Sequence, residues 1–146
     1  MEASTLRLQT SLQALDWDEL HALYQSAGLG SKTAAELQLV FGNSRYVCFA
    51  LDGERLVGAA RALSDGLDVA YLADIAVLPS HQGSGLGKRM VEDLLQRLHG
   101  HRKIILYAAP GKEPFYKKFG FQKMLTAMAL FAQPQQAQQR GYTEPD

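Results

Sequence analysis

Three glycines within five residues constrain the fold of this chain more than any other feature. Gly83, Gly85 and Gly87 stand between an apolar segment over 69–78 and an amphipathic segment over 84–99. Glycine has no Cβ atom, so consecutive backbone N–H groups in such a turn can approach a ligand. A helix N-terminus also carries partial positive charge. The sequence therefore predicts a strand, a tight anion-binding turn and a helix.

Two common nucleotide motifs do not match this turn. A Walker A loop would place a glycine at position 82 and a hydroxyl side chain at position 89, which are Gln82 and Arg89. A dinucleotide fingerprint would place a third glycine at position 88 or 90, which are Lys88 and Met90. The turn is therefore expected to bind a different phosphate ligand.

The rest of the pattern predicts a mixed α/β fold. An Asp-Gly pair at Asp52 and Gly53 joins two apolar runs, which is typical of a β-hairpin. The continuous apolar run over 104–107 predicts a strand buried on both faces and parallel to 69–78. Strands are predicted at 5–10, 45–51, 55–63, 69–78, 104–107 and 124–131. Helices are predicted at 11–29, 32–41, 84–99 and 113–119.

Length and composition bound the domain count and the environment. The chain of 146 residues suits one domain over 1–132, followed by a glutamine-rich flexible tail over 133–146. Lys+Arg and Asp+Glu are equal at 15 each, which argues against nucleic acid or an anionic membrane as a partner. The sequence contains no run of ~18 apolar residues, so it predicts no transmembrane span. Cys48 lies in an apolar run and is expected to be a buried, inert thiol, which fits a cytoplasmic location.

Two segments together resemble a known family. Gln82 to Gly87 reads Q-x-x-G-x-G, and Phe115 to Phe121 reads F-Y-x-x-x-G-F. These segments resemble the pyrophosphate-binding signature and the C-terminal segment of the GNAT superfamily of N-acetyltransferases, which use acetyl coenzyme A. The resemblance covers roughly 45–131. It implies the GNAT acyl-CoA N-acyltransferase fold, an antiparallel meander plus a splayed parallel strand pair around a central helix.

The resemblance also implies the cofactor contacts. Main-chain groups of the strand over 69–78 should hold the pantetheine arm, and the N–H groups of the glycine turn should hold the pyrophosphate. The residues expected to bind acetyl-CoA are Ile75, Ala76, Val77, Gln82, Gly83, Ser84, Gly85, Leu86, Gly87, Lys88 and Tyr116.

Three residues are candidates for the chemistry. Tyr116 matches the residue that donates a proton to the leaving thiolate in this family. Tyr71 and Ala73 stand where some members carry a catalytic glutamate, so the general base remains open. Asp74 is either a substrate contact or base, or a structural hydrogen-bonded acid, and a water chain through Tyr71 is a further route. Histidines offer weaker bases, and no Cys or His spacing supports a metal site.

The function implied by the resemblance is transfer of an acetyl group to a primary amine by direct attack in a ternary complex. The preferred acceptor is a small molecule such as an arylalkylamine, a polyamine or an amino-acid-like compound. The alternatives are a protein lysine or N-terminal amine as acceptor, and a non-catalytic coenzyme A binding module. A homodimer through an edge strand over 124–131 is a further alternative.

Overall fold

The computed structural model describes residues 5–145. The chain divides into two compact units, one ending at Leu106 and the other beginning at Tyr107. Within the described residues, no helix combines the length and the apolar character that a membrane span requires. The predicted domain over 1–132 stays a prediction.

One mixed sheet organises the first unit. Its strands within residues 5–106 are β1 (Leu6–Gln9), β2 (Tyr46–Asp52), β3 (Arg55–Ser64), β4 (Val69–Val77) and β5 (Lys103–Ile105). They follow chain order across the sheet; β1 to β4 are antiparallel, and β5 is parallel to β4. The predicted meander that ends in a parallel pair is confirmed.

Helix α1 (Trp17–Ser26) begins later than the helix predicted over 11–29. Asp16 is the reason, because its carboxylate accepts hydrogen bonds from the backbone N–H groups of Asp18 and Glu19 and so caps the helix. Ala14, two residues before the cap, has a φ of 57°, which a right-handed α-helix does not accommodate.

Helices α2 (Ala34–Gly42) and α3 (Leu86–Arg97) lie close to their predicted ranges. A capping box fixes the start of α2: Thr33 accepts from the Glu36 N–H, and Glu36 accepts from the Thr33 N–H. No side chain caps α3, whose N-cap residue is Gly85. The first N–H groups of α3 are therefore available to a ligand.

The helices cover both faces of the sheet. Helices α1 and α2 contribute Leu20, Leu23, Tyr24, Leu37 and Phe41 to one apolar cluster with Phe49, Leu56, Ala59 and Ala76. Gly58 points to the opposite face, where α3 packs: a Cβ atom on Gly58 would lie 3.0 Å from both Cε and Sδ of Met90. Close approach of α3 explains the glycine within β3.

Strand β5 differs from its prediction. It covers Lys103–Ile105 rather than 104–107, with Lys103 exposed and both isoleucines only partly buried. It pairs with Val69–Tyr71 alone. An apolar run indicates that a segment prefers burial, but it does not determine how many residues pair with the neighbouring strand.

The second unit contains α4 (Glu113–Lys117) and α5 (Pro134–Gln139). Helix α5 lies in the segment expected to be a flexible tail, so that segment has secondary structure. The strand predicted over 124–131 is wrong: these residues form no strand and have no ladder partner among the described residues. Leu125, Met128 and Leu130 are 94%, 96% and 100% exposed. The homodimer inferred from that edge strand loses its structural basis and stays a prediction.

Candidate acyl-coenzyme A site

Strand β4 continues well beyond its parallel neighbour. The last β4–β5 pair is Tyr71 with Ile105, whereas β4 extends to Val77. The Leu78 N–H donates to the Val57 carbonyl of β3 at 2.8 Å, so it points toward β3. Because neighbouring residues of a regular strand direct their backbone groups to opposite edges, the N–H group of Val77 points to the other edge, beyond the end of β5. This edge matches the position predicted for pantetheine.

A β-bulge interrupts β4 beside this edge. Ala59 pairs with Ala76 and Arg61 with Ala73, so Asp74 and Ile75 together stand opposite Ala60. Asp74 has a φ of 55°, which is in the left-handed region. Left-handed backbone is unusual for a residue other than glycine, although aspartate tolerates it better than most.

The Asp74 side chain is ion-paired with two cations. Its Oδ2 atom lies 2.8 Å from Nε of Arg61 and 3.4 Å from Nζ of Lys32. The three side chains are mostly buried. The partner that a lone carboxylate in an apolar strand requires is therefore present.

The Asp74 backbone is also held. The hydroxyl of Tyr24 in α1 donates to the Asp74 carbonyl at 2.6 Å. Tyr24 is 2% exposed, and burial together with the charge of Asp74 raises its pKa well above the usual value, opposed in part by Arg61. The phenol is therefore protonated at neutral pH and remains a hydrogen-bond donor.

The glycine turn follows β4 through a short 3₁₀ helix, Pro79–His81. The side-chain amide of Gln82 donates to the Val77 carbonyl at 3.1 Å, which ties the turn to the end of β4. Gly83 and Gly85 have φ values of 81° and 82°, and no atom lies within 4 Å of the Cβ position at either residue. The open space on the glycine side and the uncapped N-terminus of α3 both fit an anionic group.

The other residues of the turn differ in their roles. The Ser84 hydroxyl donates to the His81 carbonyl and so closes the turn internally. Lys88 is exposed, with Nζ 3.9 Å from a carboxylate oxygen of Glu92, one turn further along the helix. Leu86 is buried, so it contributes only its backbone to the surface.

A histidine anchors the segment in front of the turn. His81 is more buried than the sequence suggests: Nε2 lies 3.0 Å from Oδ2 of Asp52, and Nδ1 lies 2.8 Å from Oγ of Ser80. Asp52 ends β2, so this contact joins the β2–β3 turn to the glycine turn. Both nitrogens of His81 are occupied by neighbours.

The remaining predicted residues lie apart in the chain. Tyr71 is partly buried in β4, where it pairs with Leu63 and Ile105. Tyr116 belongs to the second unit, in α4, where its ring contacts Phe115 and Phe121 edge-on at centroid distances of 5.0 and 6.2 Å. Burial raises the pKa of Tyr116, which keeps the phenol neutral at ordinary pH.

Comparison with known proteins places this geometry in a family. The model of the acetyltransferase (GNAT) family matches residues 11–121. The chain is 34% identical over 111 residues to an uncharacterised N-acetyltransferase, ycf52, of Pyropia yezoensis, a match that covers 72% of this chain and 64% of that protein. The chain belongs to the acetyltransferase (GNAT) family.

A second relative matches almost the whole chain. Serotonin N-acetyltransferase 2, chloroplastic, of Oryza sativa subsp. japonica is 30% identical over 147 residues, which cover 94% of this chain and 74% of that protein. The chain spans only about two thirds of the length of three other relatives, since the matches cover 64% to 66% of those proteins.

Solved structures confirm the fold. A GNAT-family acetyltransferase of Streptococcus pneumoniae superimposes with a TM-score of 0.73 at 21% identity, over 88% of this chain and 99% of that one. AAC(6')-Iy, solved with the bisubstrate analogue CoA-S-monomethyl-acetylneamine, gives a TM-score of 0.66 at 18% identity, over 89% and 98%. Both similarities show the fold alone.

Sequence reasoning missed two side chains beside the bulge. Tyr24 lies at an apolar helix position, which predicts core or groove wall with a substrate contact as the alternative, and the sequence pattern assigns no role to Arg61. Neither carries a motif. The one available signal was Asp74 itself, since a carboxylate in an apolar strand requires partners.

Proposed function

We propose that the chain transfers the acetyl group of acetyl-CoA to a primary amine. One observation carries the proposal: beyond Tyr71, the edge of β4 that faces away from β3 pairs with no strand among residues 5–145, and a short 3₁₀ helix and the glycine turn connect β4 to the uncapped N-terminus of α3, with Gln82 tied to the Val77 carbonyl. Backbone donors on an open strand edge suit the amides of pantetheine, and the helix N-terminus suits the pyrophosphate. Acetyl-CoA contains both groups in this order.

We assign each step of the proposed acetyl transfer to a particular group. Bound acetyl-CoA supplies the thioester, whose C–S bond breaks as the C–N bond to the amine forms. The N–H of Ile75 is proposed to donate to the carbonyl oxygen, where negative charge develops during attack. Tyr116 is proposed to give its proton to the departing sulfur, which a neutral phenol can do. The proton that the amine loses is proposed to leave through water beside Tyr71.

A small arylalkylamine is the acceptor to test first. The support comes from the rice relative, whose name specifies serotonin and which matches 94% of this chain. A polyamine is less well supported, because the acidic residue that would attract it, Asp74, is already neutralised by Arg61 and Lys32. A protein lysine remains the alternative acceptor.

Thermal melting tests the ligand before any acceptor is known. Acetyl-CoA at a hundredfold excess over its dissociation constant should stabilise the fold by ~2.7 kcal/mol, whereas ATP and NADH should leave the melting temperature unchanged. Stabilisation by ATP or NADH in place of acetyl-CoA would contradict the assignment of the site.

Turnover then tests the reaction. Free thiol release from acetyl-CoA is measured with serotonin, spermidine, an amino sugar phosphate and a lysine-containing peptide as acceptors. We expect the highest kcat/KM with serotonin. Tight acetyl-CoA binding without turnover on any acceptor would instead indicate a coenzyme A binding module.

A further inference from the structure

We propose that Tyr24 is a positioning residue for the acyl-transfer reaction: with Arg61 and Lys32 it clamps the bulge at Asp74, so that the Ile75 N–H is held toward the open edge of β4. This inference rests on the proposed function. The proposal explains three features together: the buried phenol of Tyr24, the ion pairs of Asp74 with Arg61 and Lys32, and the left-handed backbone of Asp74.

The first argument is the strain at Asp74. Among residues 5–145 only Ala14 and Asp74 combine a positive φ with a side chain. Such a conformation persists only where surrounding contacts enforce it, and it is concentrated at functional sites. Asp74 lies inside a strand rather than in a turn, so no connection between elements requires it.

The second argument is that the contacts come from several elements. Tyr24 in α1 holds the Asp74 carbonyl at 2.6 Å, while Arg61 in β3 and Lys32, just before α2, hold the carboxylate. Arg61 is itself fixed, because Nη1 donates to Oγ of Ser44 at 3.3 Å and the guanidinium lies 6.0 Å from the centre of the Phe41 ring. Both the backbone carbonyl and the side-chain carboxylate of Asp74 are therefore held in place.

The third argument concerns the neighbouring residue. The φ and ψ angles of Asp74 set the direction of the Ile75 N–H, because the two residues share a peptide plane. A bulge redirects the residues within it, and here Ile75, the second residue of the bulge, is the proposed donor to the acetyl carbonyl. Loosening Asp74 would misdirect this donor without touching the pyrophosphate site at α3.

The decisive variant is Tyr24→Phe, which keeps the ring and removes only the hydroxyl. The matched control is Tyr46→Phe, because Tyr46 contacts Arg45 and Arg97 rather than the bulge. We expect Tyr24→Phe to lower kcat about 10- to 100-fold, as for a misplaced oxyanion donor, with the dissociation constant of coenzyme A unchanged. Tyr46→Phe should leave both values at the wild-type level.

Hydrogen exchange in the ligand-free protein provides a readout independent of turnover. Tyr24→Phe should speed amide exchange over 74–77, with no change over 86–97. Unchanged exchange over 74–77 would overturn the clamp, whatever the kinetics. Faster exchange there, in a protein that acetylates no amine, would retain the clamp and reject the proposed function.

Replacing Asp74 separates the clamp from a general base. Asparagine tolerates the left-handed region and can still accept from Arg61, so Asp74→Asn should retain turnover within about tenfold of wild type. Alanine lacks that acceptor, so Asp74→Ala should lose more and show faster exchange over 74–77. A loss in Asp74→Asn of about 100-fold or more, with unchanged exchange and the acid limb of the pH profile abolished, would make Asp74 the base and overturn the proposal.

Discussion

Replacing Gly85 with alanine tests the anion site most directly. Gly85 is the N-cap of α3, with a φ of 82°, and no atom lies within 4 Å of the Cβ position. Alanine would therefore meet no neighbour, and its cost is conformational: about 1–2 kcal/mol for a left-handed residue that carries a Cβ. The chain can avoid that cost only by rotating the peptide groups that begin the helix.

Gly100 provides the matched control. It has a φ of 95°, and its Cβ position is equally open. It follows the other end of α3, away from the proposed ligand. Gly85→Ala and Gly100→Ala should therefore lose similar unfolding free energy, about 1–2 kcal/mol each. The two variants should differ only in ligand binding.

The expected difference in affinity follows from the N–H groups at the start of α3. One hydrogen bond to a charged oxygen contributes about 1.5–3 kcal/mol. Losing one such bond should weaken coenzyme A binding about 10- to 100-fold in Gly85→Ala. Isothermal titration calorimetry measures the affinity, and urea unfolding measures the stability. Equal coenzyme A affinities in the two variants would show that the glycine turn does not bind the pyrophosphate.

Three further predictions concern single side chains. Tyr116→Phe should lower kcat about 100-fold or more, because proton donation to the departing thiolate is lost; an unchanged kcat in stopped-flow thiol release would reject Tyr116 as the donor. Cys48 is fully buried, so iodoacetamide should label it only in urea, and Cys48→Ala should keep its turnover; labelling of the folded protein, measured by mass spectrometry, would contradict this. Burial raises the pKa of Cys48 from 9.0 to about 12, so the unfolded thiol ionises first and the unfolding free energy should fall by about 1.4 kcal/mol between about pH 8 and about pH 10. Cys48→Ala should remove this fall in unfolding free energy with pH, as measured by urea unfolding at each pH. An identical pH dependence in both proteins would show that Cys48 does not cause the fall.

Sequence reasoning performed best where a local pattern determines a local structure. The glycine spacing at Gly83 and Gly85 predicts the left-handed turn because only glycine adopts such angles freely, and the structure has both residues there. The Asp52-Gly53 turn between β2 and β3 follows in the same way. Amphipathic spacing likewise predicts the buried face of α3, including Met90 and Leu94.

The same reasoning failed where the outcome depends on a distant partner. An apolar run over 124–131 favours a strand, but a strand requires a neighbour, and no residue of the run indicates whether one is present. The flexible tail over 133–146 stays a prediction. The structure adds that Pro134 begins a helix within that segment and that Ala137 is buried.

Asp74 shows how far a sequence can lead toward a site. An isolated carboxylate in an apolar strand implies a partner, but nothing in the sequence selects Tyr24 or Arg61, which lie 50 and 13 residues away. The sequence does not predict the left-handed backbone of Asp74 either, because the position is not a glycine. Both features arise from packing three elements around one bulge. A site whose geometry depends on buried contacts of this kind should respond to changes at Tyr24, a residue that no active-site motif would single out.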